Sequence, residues 1–301
     1  MTRPGLALRL FLLALAFCVL AGPQALSLAL GRGRLAARIP VLFHRLFLRL
    51  FGVRVTQSGS PPAAGEAGLV LANHVSWLDI VALGSLRPLS FIAKSEIAGW
   101  PVIGVLAKLQ RTVFVVRAKR SATARVNAAV GRRLAGGELI VLFAEGTTGD
   151  GIRLLPFRSS LVGAARAALG PDDAGGALRL QPLALAYPRR NGLPLMRAER
   201  PEVAWYGDMD LAPHLLQFVK GGPIDVHVAW GAPIPFEAAT DRKAATAQAE
   251  ASVRTALRGA GGDGPGQARA APARADAPAD AAGPASARAI RAAGEVPAVA
   301  P

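Results

Sequence analysis

Two residues five positions apart carry the most specific chemical signal in this chain. They are His74 and Asp79, in the stretch Val70-Leu71-Ala72-Asn73-His74-Val75-Ser76-Trp77-Leu78-Asp79. On one continuous helix, five residues turn about 500° at ~3.6 residues per turn, so the two side chains would point apart. They converge only if His74 occupies a strand-to-helix turn and Asp79 the first helical turn behind it. The apolar run Gly68 to Ala72 reads as a buried strand and Leu78 to Leu86 as a helix, which supplies that layout. It is the arrangement of a histidine general base oriented by a carboxylate. A plainer interpretation uses the same residues. Ser76-x-x-Asp79 fits a helix N-cap followed by a first-turn acid, with His74 an ordinary turn residue.

Three further stretches bring charge to predicted strand ends. Phe91-Ile92-Ala93-Lys94 and Thr112-Val113-Phe114-Val115-Val116-Arg117 each end in a cation, joined by the glycine-bearing segment Gly99 to Gly104. Lys94 and Arg117 can face one anionic group there, or each can be solvated at a sheet edge. Val141-Leu142-Phe143-Ala144-Glu145-Gly146-Thr147-Thr148 ends a strand in a carboxylate, followed by small residues whose amides can converge on an anion. The lysine of a P-loop is missing from it. Arg158 precedes a predicted helix at Ser159, and a guanidinium beside helix amides favours phosphate or carboxylate. Four scattered histidines show no metal-site spacing, and the single Cys18 rules out an intrachain disulfide.

The elements that must position these groups are α/β in pattern. Strands are predicted at Gly68–Ala72, Leu89–Ala93, Thr112–Val116, Leu139–Ala144, Leu180–Tyr187 and Asp225–Trp230. Helices are predicted at Leu78–Leu86, Ser121–Ala135, Ser159–Leu169 and Ala238–Leu257. This alternation implies a mixed, largely parallel sheet covered by helices, and ligands on such sheets gather at strand ends. The α/β domain spans 55–258. Beyond it, residues 259–301 are Ala, Gly, Pro and Arg with few large apolar side chains, a composition that predicts disorder.

Ahead of that domain, residues 1–54 form an apolar and basic segment. Leu10 to Ala21 is uninterrupted apolar sequence, and weaker apolar character continues to Leu30. A spanning helix needs about 20 such residues, so a membrane anchor and a cleaved leader both fit. Arg32, Arg34, Arg38, Arg45, Arg49 and Arg54 follow directly, which favours an anchor with its C-terminal side cytoplasmic. Ala37 to Phe51 reads as a basic amphipathic helix at the interface or packed on the next domain. A hydrophobic content of 51% and a mean hydropathy of +0.33 agree with membrane association. The net charge of +15 admits anionic lipid or phosphorylated ligands. Nucleic acid is disfavoured, since no zinc-finger, helix-turn-helix or aromatic RNA-binding pattern is present.

In their order, these blocks resemble the motifs of the glycerolipid acyltransferases, the family of 1-acylglycerol-3-phosphate acyltransferase. Asn73-His74-x-x-x-x-Asp79 is similar to the first motif and the run ending at Arg117 to the second. Phe143-Ala144-Glu145-Gly146-Thr147 is similar to the third, and Pro182 after an apolar strand to the fourth. The resemblance covers roughly Val55 to Trp230. It implies acyl transfer from acyl-CoA or acyl carrier protein to a lysolipid hydroxyl, at the cytoplasmic face of the inner membrane. His74 would deprotonate that hydroxyl, while Asp79 fixes its tautomer and stabilises the imidazolium. Acceptor binding carries over to Arg117, Glu145, Gly146 and Thr147, and no metal or redox cofactor is called for. The expected acceptor is 1-acyl-sn-glycerol-3-phosphate, giving phosphatidate. There are two departures: Ala144 stands where the third motif usually has Pro, and Thr148 where it often has Arg; the missing arginine weakens that choice. Arg158 can replace the missing cation. The Thr-Thr-Gly-Asp-Gly continuation also resembles bacterial relatives that acylate lyso-ornithine lipid, the alternative acceptor. A non-catalytic protein binding anionic lipid through its arginines is the competing class. A hydrolase built on Ser76 lacks the expected Gly-x-Ser-x-Gly elbow.

Overall fold

The computed structural model describes residues 3–115, 120–163, 178–237 and 239–261. The chain opens with two helices, α1 (Arg3–Ala29) and α2 (Gly33–Phe51), paired through a tight turn. Next come β1 (Val53–Gly59), β2 (Gly68–Ala72), α3 (Leu78–Leu86) and β3 (Ser90–Lys94). A 3-10 turn (Ser95–Gly99) leads into α4 (Ile103–Leu109), β4 (Val113–Val115), α5 (Arg120–Ala135) and β5 (Leu139–Phe143). After the Ser159–Val162 turn follow β6 (Leu178–Arg190), β7 (Leu193–Pro194), α6 (Leu211–Lys220), β8 (Ile224–Trp230), β9 (Ile234–Phe236) and α7 (Arg242–Gly261).

The strands form one sheet in the order β1-β8-β6-β2-β5-β3-β4, with β7 and β9 also paired to β6. Every neighbouring pair along that path is parallel except β6 with β8. Because side chains alternate along a strand, β2 and β5 each feed two cores. Val70, Ala72, Val141 and Phe143 face the side covered by α2 and α3. Leu69, Leu71, Ile140 and Leu142 face the side packed by α5 and α7, where Val130, Leu134, Ala249 and Val253 meet them. Both faces are covered, so the central strands are continuous apolar runs. β2 is buried at all five positions. Truncating one of its Leu or Val side chains would cost about 2–5 kcal/mol.

The mixed, largely parallel sheet is thus as expected, and β2 and α3 have the expected bounds. β1 has no apolar signature because only Val53 is fully buried along it. α6 holds Pro213 near its start, and Asp-Leu-Ala-Pro mimics a turn. The predicted helix from Ser159 begins as a 3-10 turn, and its part beyond Gly163 lies outside the described residues. α7 ends at Gly261, past the expected domain boundary, and the expected disordered tail otherwise lies outside the described residues.

α1 is longer than its apolar core predicts, because the helix continues through Pro23. Gly5–Ala29 has the length and composition to cross a membrane, with mean hydropathy 2.3 in its most apolar 18-residue stretch. Leu8, Phe11, Leu15, Val19 and Leu26 are exposed along it at helical spacing. On another side, Leu10, Leu13, Phe17 and Leu20 line a cavity. α2 packs on α3, and Arg45 donates to the Ser85 carbonyl at 2.8 Å. The two N-terminal helices therefore belong to the same compact unit as the sheet.

Candidate active site

The site begins where β2 ends. Asn73 closes the strand by bonding twice across to β6: its Nδ2 donates to Leu185 O at 3.0 Å, and Leu185 N donates to its Oδ1 at 2.7 Å. The amide side chain thereby replaces a backbone rung just where the chain turns away. His74 follows in the turn, and α3 starts four residues later.

His74 Nδ1 lies 2.8 Å from Asp79 Oδ2. The same oxygen accepts the amides of Val75 at 2.7 Å and Ser76 at 3.0 Å. The other oxygen, Oδ1, accepts the Tyr187 hydroxyl from β6 at 2.5 Å. Asp79 is fully buried, with every one of these donors aimed at it. A buried carboxylate survives when its lone pairs are filled in this way. The plainer sequence interpretation is partly met, since Asp79 does accept amides ahead of α3. Yet the residue at the N-cap is Trp77, in helical conformation and without a side-chain cap bond. Capping and imidazole orientation are one arrangement here.

The ring of His74 is held from a second side. It stacks on Phe143 with centroids 3.7 Å apart and planes 9° from parallel. Its backbone is fixed from below by Glu145, whose Oε1 accepts His74 N at 2.6 Å and whose Oε2 accepts Leu155 N at 2.8 Å. Burial pushes the Glu145 carboxyl up to about 7 against the pull of those two amides. Burial, with Asp79 nearby, also holds the Tyr187 phenol well above its usual range, so it stays a donor.

The predicted binding residues separate into groups. Gly146, Thr147 and Lys94 line the same cavity as His74. Gly146 has φ +75, and a Cβ there would meet Arg158 Cδ at 3.3 Å, so glycine allows the loop to pass against that arginine. Arg158 is itself exposed and sits beside this loop rather than in the cavity lining. Glu145, expected to bind the acceptor, is turned inward, 3% exposed, with both oxygens on backbone amides. It supports the His74 turn instead of lining the cavity. Arg117 lies outside the described residues. Tyr187 completes the site without having been expected there, while Asn73 and Phe143 stood inside the first and third motifs with no role assigned to them. Tyr187 ends a predicted strand, but nothing local marks the partner of its hydroxyl.

The cavity measures about 980 Å³ and extends from His74 and Trp77 between α1, α2 and α4. Its walls are overwhelmingly aliphatic and aromatic, including Phe17 of α1 and Phe43 and Phe47 of α2. Among the described residues, no group of His, Cys, Asp and Glu is placed to hold a metal.

A buried carboxylate, an imidazole it orients and an apolar cavity beside them on an α/β sheet put a general base next to space for hydrocarbon. The comparisons agree. Residues 52–185 match the family model described as Acyltransferase. A lyso-ornithine lipid O-acyltransferase of Brucella abortus (strain 2308) is 47% identical over 74% of this chain and 83% of its own length. A 1-acyl-sn-glycerol-3-phosphate acyltransferase of Neisseria gonorrhoeae is 34% identical over 76% of this chain and 80% of its own. The crystal structure of the 1-acyl-sn-glycerophosphate (LPA) acyltransferase from Thermotoga maritima shares the fold. Its TM-score is 0.59 at 16% identity, over 84% of this chain and 94% of that one. The chain belongs to the acyltransferase family and is an O-acyltransferase.

Proposed function

We propose that this protein transfers a fatty acyl group from a thioester to the free hydroxyl of a lysolipid, with His74 as general base. The observation that carries this is the 2.8 Å bond between His74 Nδ1 and Asp79, with His74 in the wall of an apolar cavity. With Nδ1 committed to Asp79, Nε2 is the nitrogen left to take a proton. The acceptor hydroxyl gives its proton to Nε2 as its oxygen attacks the thioester carbonyl. The tetrahedral intermediate then expels the thiolate, which recovers the proton from the imidazolium. Asp79 stabilises that imidazolium, and Tyr187 and the two amides hold Asp79 in place. The thioester is acyl-CoA or acyl carrier protein, and no metal or redox cofactor enters the scheme.

The sequence alone put 1-acyl-sn-glycerol-3-phosphate first as acceptor, with lyso-ornithine lipid as the alternative. The relatives support the reverse order, since the proteins of higher identity act on lyso-ornithine lipid. Thr148 in place of the arginine usual in the third motif points the same way. The headgroup would meet Lys94, Thr147 and Arg158 around the Gly146 loop.

The exposed apolar side of α1 supports embedding in a bilayer, and the arginines that follow it favour placing the catalytic unit on the cytoplasmic face of the inner membrane. The acyl chain would then pass from lipid into the cavity between α1 and α2. The test is transfer of labelled acyl groups to a lysolipid panel by membranes containing the full chain. Lyso-ornithine lipid should be the best acceptor. Equal or better acylation of lysophosphatidate overturns that choice of headgroup, and no transfer to any lysolipid overturns the function.

A further inference from the structure

The segment that joins β3 to α4 presents apolar side chains both inward and outward. Toward the cavity it contributes Trp100, Ile103 and Leu106. Outward, Trp100, Val102 and Val105 are 37%, 65% and 47% exposed within six residues of one another. Neither valine belongs to the cavity lining. Val102 holds φ +60 and ψ −56, a backbone that β-branched residues rarely adopt. Such strain persists only where neighbouring contacts enforce it. Here Gly104 N donates to Trp100 O at 2.9 Å and Leu106 N to Val102 O at 3.0 Å. A Cβ at Gly104 would meet Ala98 O at 2.5 Å, so α4 is packed tightly on the preceding 3-10 turn. The outward valines are a fixed feature of this packing.

A cluster of exposed apolar side chains marks a surface that meets a partner. Two observations select lipid as that partner. The first is attachment. α4 packs on α1, and Gln24 Nε2 of α1 donates to Leu109 O, at the end of α4, at 2.6 Å. The segment thus neighbours the helix that is long and apolar enough to cross a bilayer. The second is charge. Lys94 and Lys108 are exposed at the two ends of the segment, while its acid, Glu96, accepts the Ser95 hydroxyl at 3.3 Å. Tryptophan and valine between lysines suit the headgroup boundary, where an indole meets both hydrocarbon and water and an ammonium meets lipid phosphate.

We infer that Trp100, Val102 and Val105 insert into the membrane surface, as a second lipid contact besides α1. Insertion of this kind reaches about 5–10 Å into the boundary between headgroups and acyl chains. The wall formed by Trp100, Ile103 and Leu106 then lies at the lipid edge, and a lysolipid enters the cavity beside it without crossing water. The inference rests on the embedding of α1 proposed above.

The experiment uses the full chain with Cys18→Ser and one new cysteine at a time: Val102→Cys, Leu15→Cys on α1 or Leu193→Cys on β7. Each is labelled with an environment-sensitive dye and reconstituted in vesicles of phosphatidylethanolamine and phosphatidylglycerol. Emission at 102 should shift to the blue and be quenched more by lipid spin-labelled near the headgroup than by lipid labelled near the chain end. Position 15 should be quenched as well, and position 193 should stay aqueous. An aqueous signal at 102 with quenching at 15 overturns this contact alone, whereas aqueous signals at both overturn the embedding of α1 with it. A blue shift at 102 that lipid quenchers leave untouched assigns the surface to a protein and overturns lipid as the partner. Quenching at 193 equal to that at 102 overturns the assignment to this segment.

The double variant Val102→Asp, Val105→Asp, checked by thermal melting, should raise KM for a vesicle-borne lysolipid by about tenfold with kcat near that of the parent. Turnover of a short-chain, water-soluble lysolipid should not change. An unchanged KM in vesicles overturns the role in lipid entry. The dye signal needs no turnover, so absence of acyl transfer would overturn the function proposed above and leave this contact to be decided by quenching.

Discussion

Tyr187 and Asp79, 108 residues apart in the chain, are joined inside the core by a 2.5 Å hydrogen bond. It ties β6 to the first turn of α3 and sets the carboxylate that in turn meets His74. Tyr187→Phe removes the donor to Oδ1 and leaves that oxygen buried. Stability should fall by about 1–3 kcal/mol. Acyl transfer should fall by about tenfold, in kcat rather than KM, because the loss reaches substrate only through Asp79 and His74. A large rise in KM with kcat preserved would sink the positioning role.

His74→Ala removes the base together with a largely buried ring, only 16% exposed, that stacks on Phe143 and bonds Asp79. Acyl transfer should drop by about a thousandfold or more, and stability should fall by only about 1–3 kcal/mol, so that the variant stays folded. Wild-type turnover in this variant would end the proposed mechanism.

Asp79 separates charge from shape. Asp79→Asn keeps an oxygen for the Val75 and Ser76 amides, and the Tyr187 hydroxyl can reverse to accept from the new amide. Melting should change little, yet transfer should fall by about a hundredfold or more without the charge that stabilises imidazolium. Asp79→Ala should lower both, by about 3–5 kcal/mol in stability, because several buried donors lose their partner. Calorimetry and turnover on the two variants together check this, and equal turnover in Asp79→Asn and the parent counts against an electrostatic role.

Glu145 predicts a pH effect on stability. Its folded pKa of about 7 lies above the unfolded value of 4.5, so the folded state binds more protons across that window. Its contribution therefore favours folding most below pH 4.5, declines as pH rises, and is at its least favourable above 7. In Glu145→Gln this component of the slope should vanish, as seen by denaturant melts at several pH values between those limits. An unchanged slope would mean that Glu145 is not the group responsible.

If α1 is embedded in lipid, the protein should stay in the membrane fraction through a wash in 1 M salt, where screening lengths shrink to about 3 Å. Detergent should release it. Release by salt alone would assign membrane binding to the arginines of α2 and not to α1.

What the sequence determined by itself is local in origin. β2 is an unbroken apolar run with a turn after it, and α3 follows at once, so the pairing of His74 with Asp79 was legible from a separation of five residues. The apolar strands β5 and β6 and the apolar core of α1 were likewise carried by composition along a single segment. Tertiary structure decided what depends on contacts between distant segments. Glu145 reads as a binding residue beside Gly146, yet parallel pairing of β2 with β5 puts its carboxylate under the His74 amide, 71 residues away. Phe143 supports the imidazole for the same reason, and Tyr187 reaches Asp79 only because β6 lies on the other side of β2. The cavity too belongs to the assembly, since α1 and α2 supply walls that neither helix's sequence reveals. Periodicity fixes which face of an element is apolar, but which neighbour meets that face depends on long-range packing that no single segment encodes.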